Sequence, residues 1–367
     1  MMRLLIVLLM ALLVGCSDRT AAPIVPQALE VGTNRTVFIG TTRAMNAAGE
    51  FGIGRATGLT LLETTVSIPP DREIGSLSDG FDKPRPDRDF VIAARERHAE
   101  RASFTRALRQ EIDRSGENNR EVTLFVHGFN NSFSDAAFRM AQLAEDLEVP
   151  GALVSYAWPS RGNPLGYEYD RDSALFARDG LADLMRTIAA AGNPDIVVVA
   201  HSMGSNVLME TLRQLEIAEP GWAGRSLRGV ILMSPDINVD LFRSQLARFQ
   251  TVPDPFVVIV SRKDAILRLS SRLRGERSQL GNIDNAADVG DLPITVLDVT
   301  AFTDRRSGNH FVAGGSPALI QLLRRADDLD REFLRGRGNS AIVIPGRRRV
   351  LTRATEIRLA PSPSDER

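Results

Sequence analysis

The chain has 367 residues, 43% of them apolar, enough for one large α/β core with short appendages. Its 45 Lys and Arg stand against 46 Asp and Glu, so a formal net charge of −1 offers no global attraction to nucleic acid. Cysteine occurs once, at Cys16, which excludes an intrachain disulfide framework and a cysteine-based metal site, and no motif calls for a cofactor or metal.

In chain order, Arg3 and the apolar run Leu4–Leu13 read as a processing signal, since the run is too short to span a bilayer. Leu13-Val14-Gly15-Cys16 resembles a bacterial lipobox and puts the one cysteine where diacylglyceryl attachment requires it. The expectation is a signal peptide over 1–15, then a lipidated Cys16 and tether over 16–33, with Thr20 to Gln27 rich in Ala and Pro. Two or three acyl chains, at about 0.8 kcal/mol per buried CH₂, anchor a soluble domain firmly. Ser17, where sorting to the inner membrane would use Asp, implies by resemblance an outer-membrane lipoprotein facing the periplasm.

The main domain is expected over 34–334. Val37–Thr41 and Thr65–Ile68 read as short strands at the leading edge of a sheet, and 69–86 as a Pro/Asp/Gly-rich loop. A helix is expected from about Asp89 to Arg114, with Phe90, Ala94, Phe104, Leu108 and Ile112 inward and His98 on its solvated face. Buried parallel strands follow at Val122–Val126, Ile196–Val199, Gly229–Met233, Phe256–Val260 and Ile294–Leu297. Asp170 and Asp172 are read as caps for a helix over 173–190. The final segment, 335–367, is an Arg-rich tail with seven arginines and one glutamate between 335 and 358. It could bind anionic headgroups, but Ala341–Ile344 and Val350–Leu359 around Pro-Gly favour an exposed hairpin.

The most informative stretch is Val-Val-Val-Ala-His-Ser-Met-Gly, 197–204. A buried strand runs into Ala200-His201-Ser202-Met203-Gly204, and a helical pattern follows through Val207, Leu208, Thr211, Leu212 and Leu215. This is a G-x-S-x-G turn with alanine in its first position, so sharp that it exposes the serine Oγ and aims the Met203 N–H at a developing oxyanion. Of the four histidines, His201 adjoins the serine, His127 lies upstream and His310 alone follows it, which makes His310 the candidate base. Two acids lie just beyond strand ends, Asp264 and Asp236; as alternatives to catalysis each could cap the helix that follows it. Val122–Val126 followed by His127-Gly128-Phe129 makes the Phe129 N–H the second oxyanion donor, with Gly128 admitting a close backbone approach.

With these residues placed, the chain resembles the α/β-hydrolase superfamily, and more narrowly a branch of bacterial esterase-like lipoproteins without an assigned substrate. The resemblance rests on Phe-Val-His-Gly-Phe-Asn-Asn-Ser-Phe (125–133), Ala-Trp-Pro-Ser (157–160), Tyr-Asp-Arg-Asp-Ser-Ala (169–174), Ala-His-Ser-Met-Gly-Ser-Asn (200–206), Ser-Pro-Asp (234–236) and Ser-Arg-Lys-Asp-Ala (261–265), with Thr-Thr-Arg (41–43) and Val-Ser-Ile-Pro (66–69) upstream. It implies an α/β-hydrolase fold, with a mostly parallel central sheet, helices on both faces and, with so few residues between 234 and 256, no large cap domain. It also implies the chain order Ser, acid, His and an acid after the penultimate strand, which favours Asp264 over Asp236.

A pocket would then be built from short loops, with Phe129, Phe133, Trp158, Tyr167 and Tyr169 as candidate lining; the same aromatics could equally be core at the sheet rim. The expected function is a Ser202–His310–Asp264 hydrolase of carboxylic esters in the cell envelope. Amide, thioester and peptide substrates use the same parts. The rival is a non-catalytic envelope lipoprotein that uses this scaffold to bind a partner, against which the intact Ser/His/Asp order argues.

Overall fold

The computed structural model describes residues 23–80, 83–116, 119–275, 279–303, 310–329, 346–350 and 353–360. Cys16, the signal segment and the expected strand Ala341–Ile344 lie outside the described residues.

An antiparallel pair opens the chain, β1 (Thr33–Met45) and β2 (Phe51–Ile68), followed by β3 (Val91–His98) and α1 (Arg101–Arg114). Alternating strands and helices come next: β4 (Glu121–Val126), α2 (Phe133–Asp146), β5 (Ala152–Ala157), α3 (Tyr167–Ala189), β6 (Asp195–His201) and α4 (Met203–Ala218). Then come α5 (Trp222–Ser226), β7 (Leu227–Met233), α6 (Val239–Leu246), β8 (Phe256–Val260), α7 (Ala265–Arg274) and β9 (Thr295–Asp298). The chain closes with α8 (Val312–Gly315), α9 (Pro317–Leu329), β10 (Gly346–Val350) and β11 (Thr355–Leu359). All eleven strands form one sheet in the order β10-β11-β9-β8-β7-β6-β4-β5-β1-β2-β3. From β1 through β11 the central pairs are parallel, and the antiparallel pairs lie toward the two ends.

Side-chain alternation along each strand feeds two cores. On β4, Val122, Leu124 and Val126 face the layer built by α1, α3, α4 and α6, while Phe125 faces α2 on the other side. A third cluster packs α8 and α9 against Met233, Val257, Ile259 and Leu297. Between β7 and β8 only α6 intervenes, so no cap domain is inserted there.

Three expectations are corrected. Residues 91–98 are strand, not helix: β3 pairs with β2, and His98 ends that strand, edge-on to Phe104 at 5.6 Å. The segment preceding β1 is not all tether, because Val25 donates to the Ile92 carbonyl and Ala28 is fully buried beside Val91 and Ala93. The carboxyl-terminal hairpin is not wholly exposed. β10 and β11 do pair, but β11 is also the next parallel strand beyond β9, and Ile357 and Leu359 are buried in the third cluster.

Candidate active site

The sheet order reverses at β4 and β6: the chain leaves β4 for β5 on one side and returns to β6 on the other. In open α/β sheets this switch point leaves a crevice at the carboxyl ends of the strands. Ser202 follows β6 there, and His127-Gly128-Phe129 follows β4.

Ser202 has φ 53° and ψ −123°, a conformation that L-residues with a side chain rarely adopt and that costs about 1–3 kcal/mol. Neighbouring backbone holds it in place: its N–H donates to the Met233 carbonyl at 3.0 Å, and its carbonyl accepts from Ser205 and Asp236 N–H. The small residue of the motif has a concrete cause. A Cβ on Gly204 would sit 2.2 Å from the His127 carbonyl oxygen, so only glycine lets α4 start this close to the end of β4. A Cβ on Gly128 would fall 2.9 Å from Ser202 Cβ and 2.8 Å from His201 Nδ1. Gly128 is thus needed for contact with the serine turn itself, which sets the following Phe129 amide beside the serine.

His310 Nε2 lies 2.7 Å from Ser202 Oγ, and His310 Nδ1 lies 2.8 Å from Asp264 Oδ2. Ser202 is buried to 2% exposure and Asp264 fully, whereas the His310 ring keeps a partly open edge. Asp264 follows β8, and its Oδ1 accepts the N–H groups of Ile266 and Leu267 at the start of α7. The contact to the His310 ring and the cap of α7 thus use the two different oxygens of Asp264. The Met203 N–H opens α4, where no earlier helical carbonyl exists to receive it.

Residues 100–326, well over half of the chain, match the family described as alpha/beta hydrolase of unknown function (DUF900). The chain belongs to this α/β-hydrolase family. It is also 41% identical over 66 residues to the uncharacterized protein alr1448 of Nostoc sp., a match spanning 17% of each chain. Among solved structures it is similar to Aspergillus fumigatus lipase B, with 15% identity, TM-score 0.38, and coverage of 61% of this chain and 58% of the lipase. A Trichoderma reesei cutinase in complex with a phosphonate inhibitor matches at 11% identity and TM-score 0.24, covering 37% of this chain and 66% of the cutinase.

Other predicted residues of the hydrolase fall into two groups. Phe129 and Tyr167 are half-buried beside the serine turn, with rings edge to face at 5.5 Å. Phe133, Trp158 and Tyr169 do not join them. Phe133 stacks on Phe51 inside the second core, because it starts α2 on the buried face. Trp158 is fully buried, stacks on His127 at 5.0 Å and donates its indole N–H to the His127 carbonyl. Tyr169 donates to the Ile53 carbonyl under the Arg55 guanidinium and so braces the β1–β2 hairpin.

Asp236 does not cap α6, and it is Asp264 that meets His310 Nδ1. The Asp236 carboxylate accepts from Tyr167 and Ser270 hydroxyls, and the cap of α6 is Asn238. Asp170 lies inside the first turn of α3, which begins six residues earlier than expected. Its carboxylate accepts from Ser160 Oγ and from the Arg161 and Asn130 N–H groups, and burial raises its pKa.

Two further groups escaped the sequence reading. Arg43, almost fully buried, donates to the carbonyls of Gly52, Ser160 and Asn131, tying the loops after β4 and β5 to the β1–β2 hairpin. Burial lowers its pKa to about 10, partly offset by Asp170 and Asp135. The Thr-Thr-Arg motif offered the signal, but nothing local shows that a long cationic side chain turns inward. His127 places Nδ1 2.9 Å from the Gly128 carbonyl and Nε2 3.1 Å from the Trp158 carbonyl. Burial, then the Arg43 charge, outweigh those contacts and lower its pKa to about 3, so the ring is neutral.

Proposed function

We propose that this α/β hydrolase is a serine esterase that acts through an acyl-enzyme, with Ser202 as nucleophile, His310 as base and Asp264 as orienting acid. The observation that carries the reading is the unbroken chain from Asp264 Oδ2 through the His310 ring to Ser202 Oγ, ending on a serine held at positive φ. Neutral His310 takes the Ser202 proton as Oγ bonds to the ester carbonyl carbon, and Asp264 steadies the imidazolium that forms. The oxyanion accepts from the Met203 and Phe129 N–H groups, each such donor being worth roughly 3–4 kcal/mol in the transition state. His310 then gives its Nε2 proton to the departing alkoxide. Water attacks the acyl-enzyme, losing a proton to His310 and releasing the carboxylic acid, and the proton returns to Ser202 Oγ. Phe129 and Tyr167 offer an apolar wall beside the serine for the acyl group.

The experiment is covalent labelling by a fluorophosphonate probe with mass spectrometry, alongside turnover of short-chain p-nitrophenyl esters. The adduct is expected on Ser202, and Ser202→Ala should lose at least roughly a thousandfold in kcat with the fold intact. Well-folded wild type with neither labelling nor turnover would leave a binding scaffold.

We further propose that the enzyme works in the bacterial cell envelope, anchored through a lipidated Cys16 and facing the periplasm. The lipobox-like Leu13-Val14-Gly15-Cys16 and the absence of any other cysteine support this. Cys16→Ser should abolish lipid labelling and processing; unmodified wild type found wholly in the cytosol would refute the anchor.

A further inference from the structure

Resting on that catalytic reading, we infer that His201 is a positioning residue for the base: its Nε2–H donates to the His310 carbonyl oxygen and fixes the backbone from which the His310 ring reaches Ser202. The donor–acceptor distance is 3.1 Å. Because a carbonyl can only accept, the His201 proton must sit on Nε2.

His201 is wedged between the two loops that complete the site. On one side its Nδ1 lies 2.8 Å from where a Gly128 Cβ would be, against the loop that carries Phe129. On the other its ring lies 4.8 Å from the His310 ring and edge to face with Phe311 at 4.7 Å, itself covered by the Arg139 guanidinium at 4.2 Å. His201 is also the residue before the nucleophile and the last of β6. One imidazole therefore connects the serine turn, the loop after β4 and the segment bearing the base, although 108 residues separate Ser202 from His310.

The same contacts keep His201 out of proton transfer. Burial, reinforced by the His310 charge, holds its pKa well below the usual imidazole value. It stays neutral when His310 becomes imidazolium, with its one proton committed to a carbonyl, so the Ser202 proton can pass only to His310.

The test compares His201→Phe, which keeps a ring against Phe311 but has no donor, with His201→Gln, whose amide can donate from a similar reach. Each is made in the full chain. Misplacing a reacting group by about 1 Å costs about a hundredfold, so His201→Phe should lose about that in kcat and in fluorophosphonate labelling rate, with KM little changed. His201→Gln should recover most of the loss at equal or lower thermal stability. The low-field proton resonance of the His310–Asp264 bond should persist in wild type and His201→Gln and broaden in His201→Phe. Nitrogen-15 shifts of wild-type His201 should report the Nε2–H tautomer.

Wild-type kcat in His201→Phe, a His201→Gln as impaired as His201→Phe, or an Nδ1–H tautomer would each overturn the inference while Ser202 labelling leaves the triad standing. Unlabelled wild type would instead remove the catalytic reading. The tautomer and the His310 resonance would then still decide whether His201 holds His310.

Discussion

Asp264 and His310 are joined by a 2.8 Å contact from Oδ2 to Nδ1, while the other carboxylate oxygen of Asp264 caps α7 through Ile266 and Leu267 N–H at 3.0 Å each. The carboxylate is thereby locked by the helix it starts. Asparagine caps helices as well as aspartate does, so Asp264→Asn can keep the cap while losing the charge that fixes the imidazole tautomer.

The first prediction follows. Asp264→Asn should lose about ten-thousandfold in kcat with a nearly unchanged melting temperature, and Asp264→Ala should lose a further ~1 kcal/mol of stability with the cap. Asp236→Asn should keep most activity, because an amide oxygen can still accept from Tyr167 and Ser270. Ester turnover and thermal melts of the three variants check this; the opposite ranking of the two Asn variants would move the acid to Asp236.

Much of this arrangement was legible in the chain because its causes are local. Small residues around Ser202 and β-branched runs report constraints within a few positions, and the order of Ser202, Asp264 and His310 follows the chain order that the resemblance implies. What stayed hidden depends on partners far along the chain. Residues 91–98 carry Ala, Arg and Glu, which favour helix, yet pairing with β2 makes them strand. Phe133 and Trp158 look like pocket aromatics until the packing of α2 and the His127 ring claims them. His201 adjoins Ser202 in the chain, but its contact with the His310 carbonyl needs the folded loop to be visible.

The second prediction concerns the turn. Gly204→Ala would drive a Cβ to 2.2 Å from a backbone oxygen, where no flexible side chain can yield. The start of α4 must shift away from β4, carrying Ser202 and the Met203 amide with it. Activity should fall at least about a hundredfold, since a 1 Å displacement suffices for that. Gly128→Ala should do likewise by pressing on Ser202 Cβ. Full labelling rates in either variant would refute the account.

The third prediction concerns Arg43. Its guanidinium spans three carbonyls from three segments, a geometry that a single ammonium cannot copy. Arg43→Lys should therefore destabilise the fold and slow Ser202 labelling, because the Asn131 loop carries Phe129. Arg43→Ala should cost at least about 1–3 kcal/mol, because it leaves carbonyls without their donor in the interior. Urea melts and labelling rates measure both effects; a wild-type melt for Arg43→Ala would show that the three carbonyls do not depend on it.

The last prediction is acid sensitivity, and its sign follows from His127. Its folded pKa, about 3, lies below the ordinary imidazole value of about 6.5, so the unfolded chain binds a proton that the native state refuses. Stability is thus fully present above about pH 6.5 and falls as pH drops toward 3, by up to about 1.4 kcal/mol per pH unit from this one group. His201, also depressed by burial, acts in the same direction. Between pH 6 and 5, above most carboxylate titration, His127→Gln should show a loss of unfolding free energy smaller than wild type by about 1 kcal/mol. Urea melts at the two pH values give the slopes directly. The comparison also discriminates between opposing forces on this ring, since the Gly128 and Trp158 carbonyls favour the imidazolium while burial and Arg43 oppose it. Equal slopes for wild type and His127→Gln would mean that the two carbonyls win and that the buried ring is already charged in the native state.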